Sequence, residues 1–303
     1  FYLFGRVIDA LTGLSLPGIR ISIILCSFSG FLLIGYLLRS RLGVWPTLLT
    51  LLLMAVSPML VSYDVLFRGY ALFGVFFMLL MIQGFDTLNN PALVRPYVLS
   101  VFWGLGMVYT HFWGGLILVG YVLTLSFMLY RSGSSDSIKK VLAMCLGWTA
   151  GFAPYIPIFL QQLQIGKLSN MEYIHPHLNW HEYIWKTWLG ITGGWAVGAI
   201  LLVLCVAGLI SRDKINGSEK KYIWLCVGVT VLSIALGIFY SKVRSPIYNP
   251  YRQGILFIIP FLGACGIVAS KIKLRWLVYL CLLGVCANTG RNVIQTRLAH
   301  STD

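Results

Sequence analysis

Long apolar runs separated by short polar loops constrain this chain more than any other feature. A helix needs about 20 residues to cross the hydrocarbon core of a bilayer, and most of the runs approach that length. Two of them, Tyr97–Tyr109 and Leu274–Ala287, are short. The ten runs are Leu16–Leu38, Val44–Ser62, Tyr70–Phe85, Tyr97–Tyr109, Gly114–Tyr130, Val141–Leu160, Gly194–Ile210, Tyr222–Tyr240, Gly254–Ser270 and Leu274–Ala287. Charged residues make up 11% of the chain, against about 25% in soluble domains, and strand-like alternation does not recur. The pattern predicts an all-α, polytopic membrane bundle with about ten transmembrane helices.

The domain organisation follows from the loops. The polar linkers are too short to separate domains, and no tandem repeat is visible, so we expect residues 1–303 to form one integral-membrane domain. The sequence opens on Phe1 inside an apolar phrase, with neither the basic region nor the cleavage site of a signal peptide. We therefore expect further sequence upstream.

Basic residues explain the net charge of +14 without nucleic acid. They cluster in alternate loops, which the positive-inside rule assigns to the cytoplasmic face. These residues are Arg39, Arg41, Arg95, Arg131, Lys139, Lys140, Arg212, Lys214, Lys220, Lys221, Lys271, Lys273 and Arg275. The segment Asp64–Arg68, the loop Gln161–Gly193 and the loop Ser241–Arg252 then fall on the outer face.

The outer face retains cations against this rule, including Arg68 and Arg252. They indicate an anionic ligand, with solvated loop charges as the alternative. Asp64 and Arg68, four residues apart at the end of a membrane segment, form either a polar site or a structural ion pair. If the chemistry needs a carboxylate base on this face, Asp64 is the leading candidate.

Histidines of the outer face offer weaker signals. His175, His177 and His181, beside Glu182, could bind a divalent metal, but the surrounding tryptophans and tyrosines favour an interfacial amphipathic helix in the loop 161–193. For His111, a hydrogen-bonded histidine at a helix end is the simpler interpretation.

Small residues of the apolar runs predict packing rather than chemistry. All seven cysteines lie in these runs, and we interpret them as core residues rather than disulfides or ligands. The GxxxG patterns Gly147–Gly151 and Gly194–Gly198 predict close helix contacts. Pro154 and Pro157 predict a kink near the outer end of their segment.

Five short motifs follow one another along nearly the whole chain: Phe1-Tyr2-Leu3-Phe4, Leu16–Ser22, Ser57-Pro58 with Tyr63, Arg68 and Tyr70, Tyr109-Thr110-His111-Phe112, and Tyr248–Arg252 followed by Pro260. Together they resemble the motifs of the GT-C glycosyltransferases that use polyprenyl-phosphate sugars, such as protein O-mannosyltransferases and the lipid A aminoarabinose transferase. Phe1-Tyr2-Leu3-Phe4 is similar to the second half of that family's first outer loop, and Leu16–Ser22 to its entry into the second membrane helix. Ser57-Pro58 with Tyr63, Arg68 and Tyr70 resembles its second outer loop. Tyr109-Thr110-His111-Phe112 and Tyr248–Arg252 followed by Pro260 resemble two further helix-end motifs.

The resemblance implies sugar transfer from a polyprenyl-phosphate donor to a hydroxyl of a lipid, glycan or protein acceptor on the extracytoplasmic face. The membrane would be the plasma (inner) membrane, or the endoplasmic reticulum in a eukaryote. It implies that Asp64 is catalytic and that substrate is bound by Arg68, Tyr63, Tyr70, His111, Tyr251 and Arg252. A divalent metal cofactor is left open. No nucleotide-binding glycine loop is visible, in agreement with a lipid-linked donor.

This chain departs from the family pattern at two of the motifs named above. The Glu that members often carry two residues before the second-loop Arg is Leu66 here, and the Arg-Tyr pair reads Arg252-Gln253. The family's usual catalytic Asp would lie upstream of Phe1. A multi-pass transporter and a non-catalytic lipid-binding subunit are the alternative functions.

Overall fold

The computed structural model describes residues 16–57, 70–111, 113–157, 160–161, 179–192, 195–210, 214–243, 250–273 and 275–301. Within these ranges the chain is helical apart from short turns, and no strand is present. The eleven described α-helices are α1 Leu16–Leu42, α2 Val44–Val56, α3 Tyr70–Asn89, α4 Arg95–Thr110, α5 Gly114–Arg131, α6 Ser135–Phe152, α7 Trp180–Thr192, α8 Trp195–Ile210, α9 Gly217–Val243, α10 Pro250–Ser270 and α11 Arg275–Ser301.

Four of these helices are long and apolar enough to cross a membrane. Their apolar stretches are Ile24–Leu42, Leu72–Asn89, Gly114–Arg131 and Gly217–Tyr240. Val44–Val56, Ala196–Ala207 and Ile258–Ser270 are apolar but shorter. The all-helical fold is therefore confirmed, together with four candidate membrane helices.

Each of the ten apolar runs contains a described helix, but several helix ends differ from the run ends. α11 continues through polar residues to Ser301, well past the predicted end at Ala287. α9 begins at Gly217, five residues before the apolar run, because Asn216 and Glu219 cap its first turn reciprocally. Apolarity therefore located the helices, whereas capping and polar extensions determined their ends.

The core lies around α3, of whose apolar stretch Leu72–Asn89 78% is buried. α3 packs against α1, α4, α9 and α10, and Phe77 and Leu80 are fully buried. α1 is the opposite case, because only 11% of its apolar stretch is buried. Its exposed side chains, such as Ile24 and Leu32, suit contact with lipid tails.

Small residues bring neighbouring helices together. A Cβ atom added at Gly147 would lie 3.1 Å from the Val101 side chain, and one added at Gly151 would collide with Leu105. The first GxxxG pattern therefore packs α6 on α4, as predicted. α6 ends at Phe152, where the 3-10 turn Ala153–Tyr155 begins with Pro154 inside it, in agreement with the predicted break. The seven cysteines are free thiols.

Candidate functional site

Ion pairs and lysine contacts bring the predicted cytoplasmic loops together at one end of the bundle. We call this end, formed by the described residues 39–45, 86–97, 131–140, 214–221, 271–273 and 275–279, the basic end. Arg41 of α1 donates two hydrogen bonds of 2.5 Å to the carboxylate of Asp86 in α3. Lys271, the residue after the end of α10, lies 2.6 Å from a carboxylate oxygen of Glu219 in α9.

Two lysines extend this network to the loop between α3 and α4. The Lys140 ammonium donates to the carbonyls of Pro91 and Ala92, at 3.1 and 2.6 Å. Lys221 donates to the carbonyl of Leu88 at 2.8 Å. These carbonyls lie at or beyond the last turn of α3, where a cation also complements the helix dipole. The alternate basic loops therefore share one end, as the charge pattern predicted.

The other end of the bundle carries aromatic side chains. We call it the aromatic end and define it by Phe73, Tyr109, His111, Trp113 and Tyr155. The Tyr109 hydroxyl donates to the Gly151 carbonyl at 2.7 Å, and its ring lies 5.2 Å from that of Tyr155. These contacts join the end of α4 to the end of α6.

His111 lies at the C-cap of α4 in an extended conformation. Its backbone N–H donates to the Met107 carbonyl at 3.0 Å, and its Nδ1 atom accepts a hydrogen bond from the Trp113 backbone N–H at 3.3 Å. A ring nitrogen that accepts is unprotonated, so in the neutral imidazole the proton is on Nε2. His111 is thus a hydrogen-bonded helix-end histidine.

The first turn of α3 contacts this histidine, and α3 in turn packs against α10. The Phe73 ring lies 6.0 Å from the His111 ring, edge to face. At the next residue of α3, a Cβ atom added at Gly74 would lie 2.9 Å from the Ile259 side chain of α10. From this contact Tyr70 lies about 6 Å and Arg252 about 10 Å towards the aromatic end, at 1.5 Å per helical residue. The backbones of Tyr70 and Arg252 therefore lie at the same end of the bundle as His111.

The other predicted site residues are described only in part or not at all. Tyr63, Asp64 and Arg68 fall outside the described residues. Tyr70 begins α3, and Tyr251 and Arg252 occupy the first turn of α10; only their backbones are described. His111 is the single predicted site residue with a described side chain.

Sequence reasoning missed the aromatic contacts that support His111. Phe73 follows Tyr70 by three residues and so lies near it on one helix face, which is a signal that the sequence did contain. The Tyr109–Gly151 hydrogen bond joins residues that are 42 positions apart, and no local pattern could have revealed it.

The predicted interfacial segment is partly described. α7 covers its second half, and Glu182 caps this helix by accepting from the Asn179 backbone N–H at 2.9 Å. Trp188 contacts Phe261 of α10 at 5.8 Å between ring centroids, whereas Ile184 and Trp185 are exposed. One face of α7 therefore packs on the bundle, and the other carries apolar side chains outwards.

Metal-binding groups do not assemble within the described ranges. No three His, Cys, Asp or Glu side chains there are close enough to share an ion. His175 and His177, two of the three predicted ligands, lie outside those ranges, while His181 is an exposed residue of α7.

No protein-family model matches this chain, and neither the curated proteins nor the solved structures provide a match.

Proposed function

We propose that this chain is a membrane glycosyltransferase. It transfers a sugar from a polyprenyl-phosphate donor to an acceptor hydroxyl on the outer membrane face, within a GT-C-like bundle of about ten membrane helices. The sequence motifs support this proposal by their order and spacing. The proposed location is the plasma (inner) membrane, or the endoplasmic reticulum in a eukaryote.

One observation carries the proposal: the motif residues that the structure describes collect at the aromatic end. α3 begins at Tyr70, α4 ends beside His111, and α10 begins at Pro250, just before Arg252. The Phe73 ring contacts the His111 ring, and the Gly74 backbone lies close to the Ile259 side chain. These contacts link α3 to α4 and to α10 near this end. Motifs separated by up to 182 positions, from Tyr70 to Arg252, thus meet at one end of the bundle.

The proposed chemistry assigns a role to each charged motif residue. Arg68 and Arg252 hold the donor phosphate by charge-assisted hydrogen bonds. The acceptor oxygen attacks the anomeric carbon, and the bond from that carbon to the phosphate oxygen breaks, releasing polyprenyl phosphate. A carboxylate, Asp64 in this chain, takes the acceptor proton. The arginines stabilise the negative charge that develops on the leaving phosphate.

Neutral residues of the motifs complete the proposed site. Tyr63, Tyr70 and Tyr251 supply hydroxyls and rings that suit a sugar, which is polar at its edges and apolar on its faces. His111 belongs to the Tyr109–Phe112 motif, and we assign it a polar contact with the substrate. A divalent metal would need carboxylate ligands, and the carboxylates that the sequence predicts on the outer face are Asp9, Asp64, Glu172, Glu182 and Asp303.

The charge distribution favours this proposal over a transporter. A transporter is expected to carry ionisable residues at mid-membrane. In the four candidate membrane stretches, the described charged residues lie near the helix ends: Arg39, Arg41, Asp86, Arg131, Glu219, Lys220 and Lys221. The described helices therefore fit a reaction site at the membrane surface better than a transport path across the membrane.

The direct test supplies membranes containing the chain with a radiolabelled polyprenyl-phosphate sugar and measures released polyprenyl phosphate. Arg252→Ala should weaken donor affinity more than acceptor affinity, because Arg252 is proposed to hold the phosphate. Arg131→Ala, an exposed arginine at the basic end, is the matched control. Donor binding unchanged by Arg252→Ala would exclude its assignment, and binding without release would favour the lipid-binding subunit.

A further inference from the structure

A crevice of about 40 Å³ opens at the basic end, between the start of α2, the end of α10 and the start of α11. Trp45 and Leu49 line it from α2, and Arg275, Val278 and Tyr279 line it from α11. The Arg275 guanidinium lies over the Trp45 ring, 5.3 Å from its centroid. This cation–π contact positions the arginine at the mouth of the crevice.

The two cations at this crevice are not held in an ion pair with a described carboxylate. The carboxylates described at this end already have cationic partners: Asp86 pairs with Arg41, Asp136 with Lys139, and Glu219 with Lys271. No described carboxylate pairs with Arg275 or with the neighbouring Lys273, and both residues are exposed. Two positive charges therefore remain available beside the crevice.

Two apolar strips lead from the crevice along the bundle surface. On α2, Trp45 is followed at helical spacing by the exposed Leu48 and Leu52, and on α11 Tyr279 is followed by the exposed Leu283. Trp276, one turn before Tyr279, is also exposed. Aromatic residues next to cations, with leucines beyond them, are typical of the zone where lipid headgroups meet acyl chains.

We propose that this crevice binds the headgroup of an anionic phospholipid. Arg275 and Lys273 contact the phosphate, Trp45 and Tyr279 contact the glycerol region, and the acyl chains lie along the leucines of α2 and α11. The site lies at the opposite end of the bundle from the proposed transfer chemistry and does not depend on it.

A phospholipid fits these features better than a free anion does. The exposed leucines that flank the crevice suit contact with acyl chains, so a phospholipid can place its chains there while its headgroup reaches the crevice, which a small soluble phosphate cannot do. Acyl chains cover that surface. The two unpaired cations then favour an anionic headgroup over a zwitterionic one.

The test uses the whole chain in nanodiscs that contain phosphatidylcholine and phosphatidylglycerol in equal parts. Native mass spectrometry of the released protein counts the lipids of each kind that stay bound. Unaltered protein should retain phosphatidylglycerol preferentially. Arg275→Gln should lower that preference about fivefold, since one cation near an anionic headgroup contributes about that factor.

Arg131→Gln is the matched control, because it removes the same charge from an exposed arginine at the same end, outside the crevice. It should leave the preference unchanged. Trp45→Leu keeps every charge and removes only the ring under Arg275, so it should lower the preference by a smaller factor. This variant also decides the outcome if Arg275→Gln folds poorly.

Three results would overturn the proposal. Equal retention of the two lipids by the unaltered protein would mean that no anionic headgroup is selected. Equal losses in Arg275→Gln and Arg131→Gln would mean that the whole basic end attracts anionic lipid diffusely. Displacement of the bound lipid by free glycerol phosphate would indicate a site for a soluble anion.

Discussion

The two ends of this bundle use polar side chains in opposite ways. At the basic end, charged residues reach across to neighbouring helices: Arg41 binds Asp86, and Lys271 binds Glu219. At the aromatic end, the described contacts are neutral, as in the Tyr109 hydroxyl on the Gly151 carbonyl and the His111 ring beside Phe73. One end is held by ion pairs, and the other by rings and backbone carbonyls.

This difference distinguishes charges that stabilise the fold from charges that could bind an anionic ligand. A cation paired with a carboxylate in the same protein is partly neutralised and is therefore a poor anion-binding group. Arg41 and Lys271 are such cations, and each pair contributes to holding two helices together. Arg68 and Arg252, which the charge pattern predicts on the outer face, belong to the motifs of the proposed phosphate site, and we propose that site for the aromatic end because no ion pair forms there among the described residues.

The largest expected effect is the labelling of the two ends from opposite sides of the membrane. We expect a membrane-impermeant thiol reagent to label Asn179→Cys from outside and Ser132→Cys only after the membrane is opened. Both positions are exposed, and the basic end should face the cytoplasm. The measurement uses intact cells and a background without native cysteines. Labelling of Ser132→Cys from outside would reverse the proposed orientation.

The next largest effect concerns the sugar transfer that we propose for the aromatic end. Arg68→Ala should lower sugar transfer about a hundredfold or more, because a group that stabilises transition-state charge contributes on that scale. Arg68→Lys should recover only part of the rate, since lysine lacks the bidentate fork. The rate of polyprenyl phosphate release checks this, with Arg131→Ala as the control at the basic end. Equal rates for Arg68→Ala and the control would make the Asp64–Arg68 motif structural.

Much of the helical framework could be predicted from the sequence, because a long apolar run suits a helix that either packs inside the bundle or faces lipid. The runs located every described α-helix except α7, and the positive loops correctly grouped residues as distant as Arg41 and Lys271 at one end. Specific partners could not be predicted. Arg41 binds Asp86, 45 positions away, and the long-range packing that aligns α1 with α3 leaves no local sequence pattern.

The candidate site was predictable only as a set of motifs. The order of Tyr70, His111 and Arg252 along the chain gives no distance between them, and their convergence depends on how α3 packs against α4 and α10. The polar continuation of α11 was also missed, because a search for apolar runs stops at the first polar residues. Thr289, in that continuation, donates to the Val56 carbonyl at 2.6 Å and so fastens α11 to the end of α2.

A smaller effect tests whether the ion pairs of the basic end hold the fold. Glu219 is 3% exposed; it accepts from Lys271 at 2.6 Å and from the Asn216 backbone N–H at 3.0 Å. Glu219→Ala leaves Lys271 without its carboxylate and removes the helix cap, so it should cost about 3 kcal/mol of stability. Thermal unfolding in detergent micelles measures the loss.

Asp136→Ala is the matched control for that experiment. Its carboxylate also lies near a lysine, 3.7 Å from Lys139, but both side chains are almost fully exposed. Exposed ion pairs contribute little to stability, so the variant should unfold at the same temperature as the unaltered protein. Comparable losses in the two variants would mean that burial does not distinguish the pairs of the basic end.

The smallest expected effect concerns the helix packing that connects the two ends. A Cβ atom added at Gly266 of α10 would lie 2.6 Å from the backbone nitrogen of Thr50 in α2. Backbone cannot move aside as a side chain can, so Gly266→Ala should force α10 away from α2 at a cost of about 2 kcal/mol.

At Gly35 of α1, the added atom would lie 3.0 Å from only the tip of Leu51. Gly35→Ala should therefore change stability by less than about 0.5 kcal/mol, because alanine's higher helix propensity offsets a small side-chain shift. If both variants unfold alike in the same detergent assay, then α2 and α10 do not pack closely enough to link the two ends rigidly.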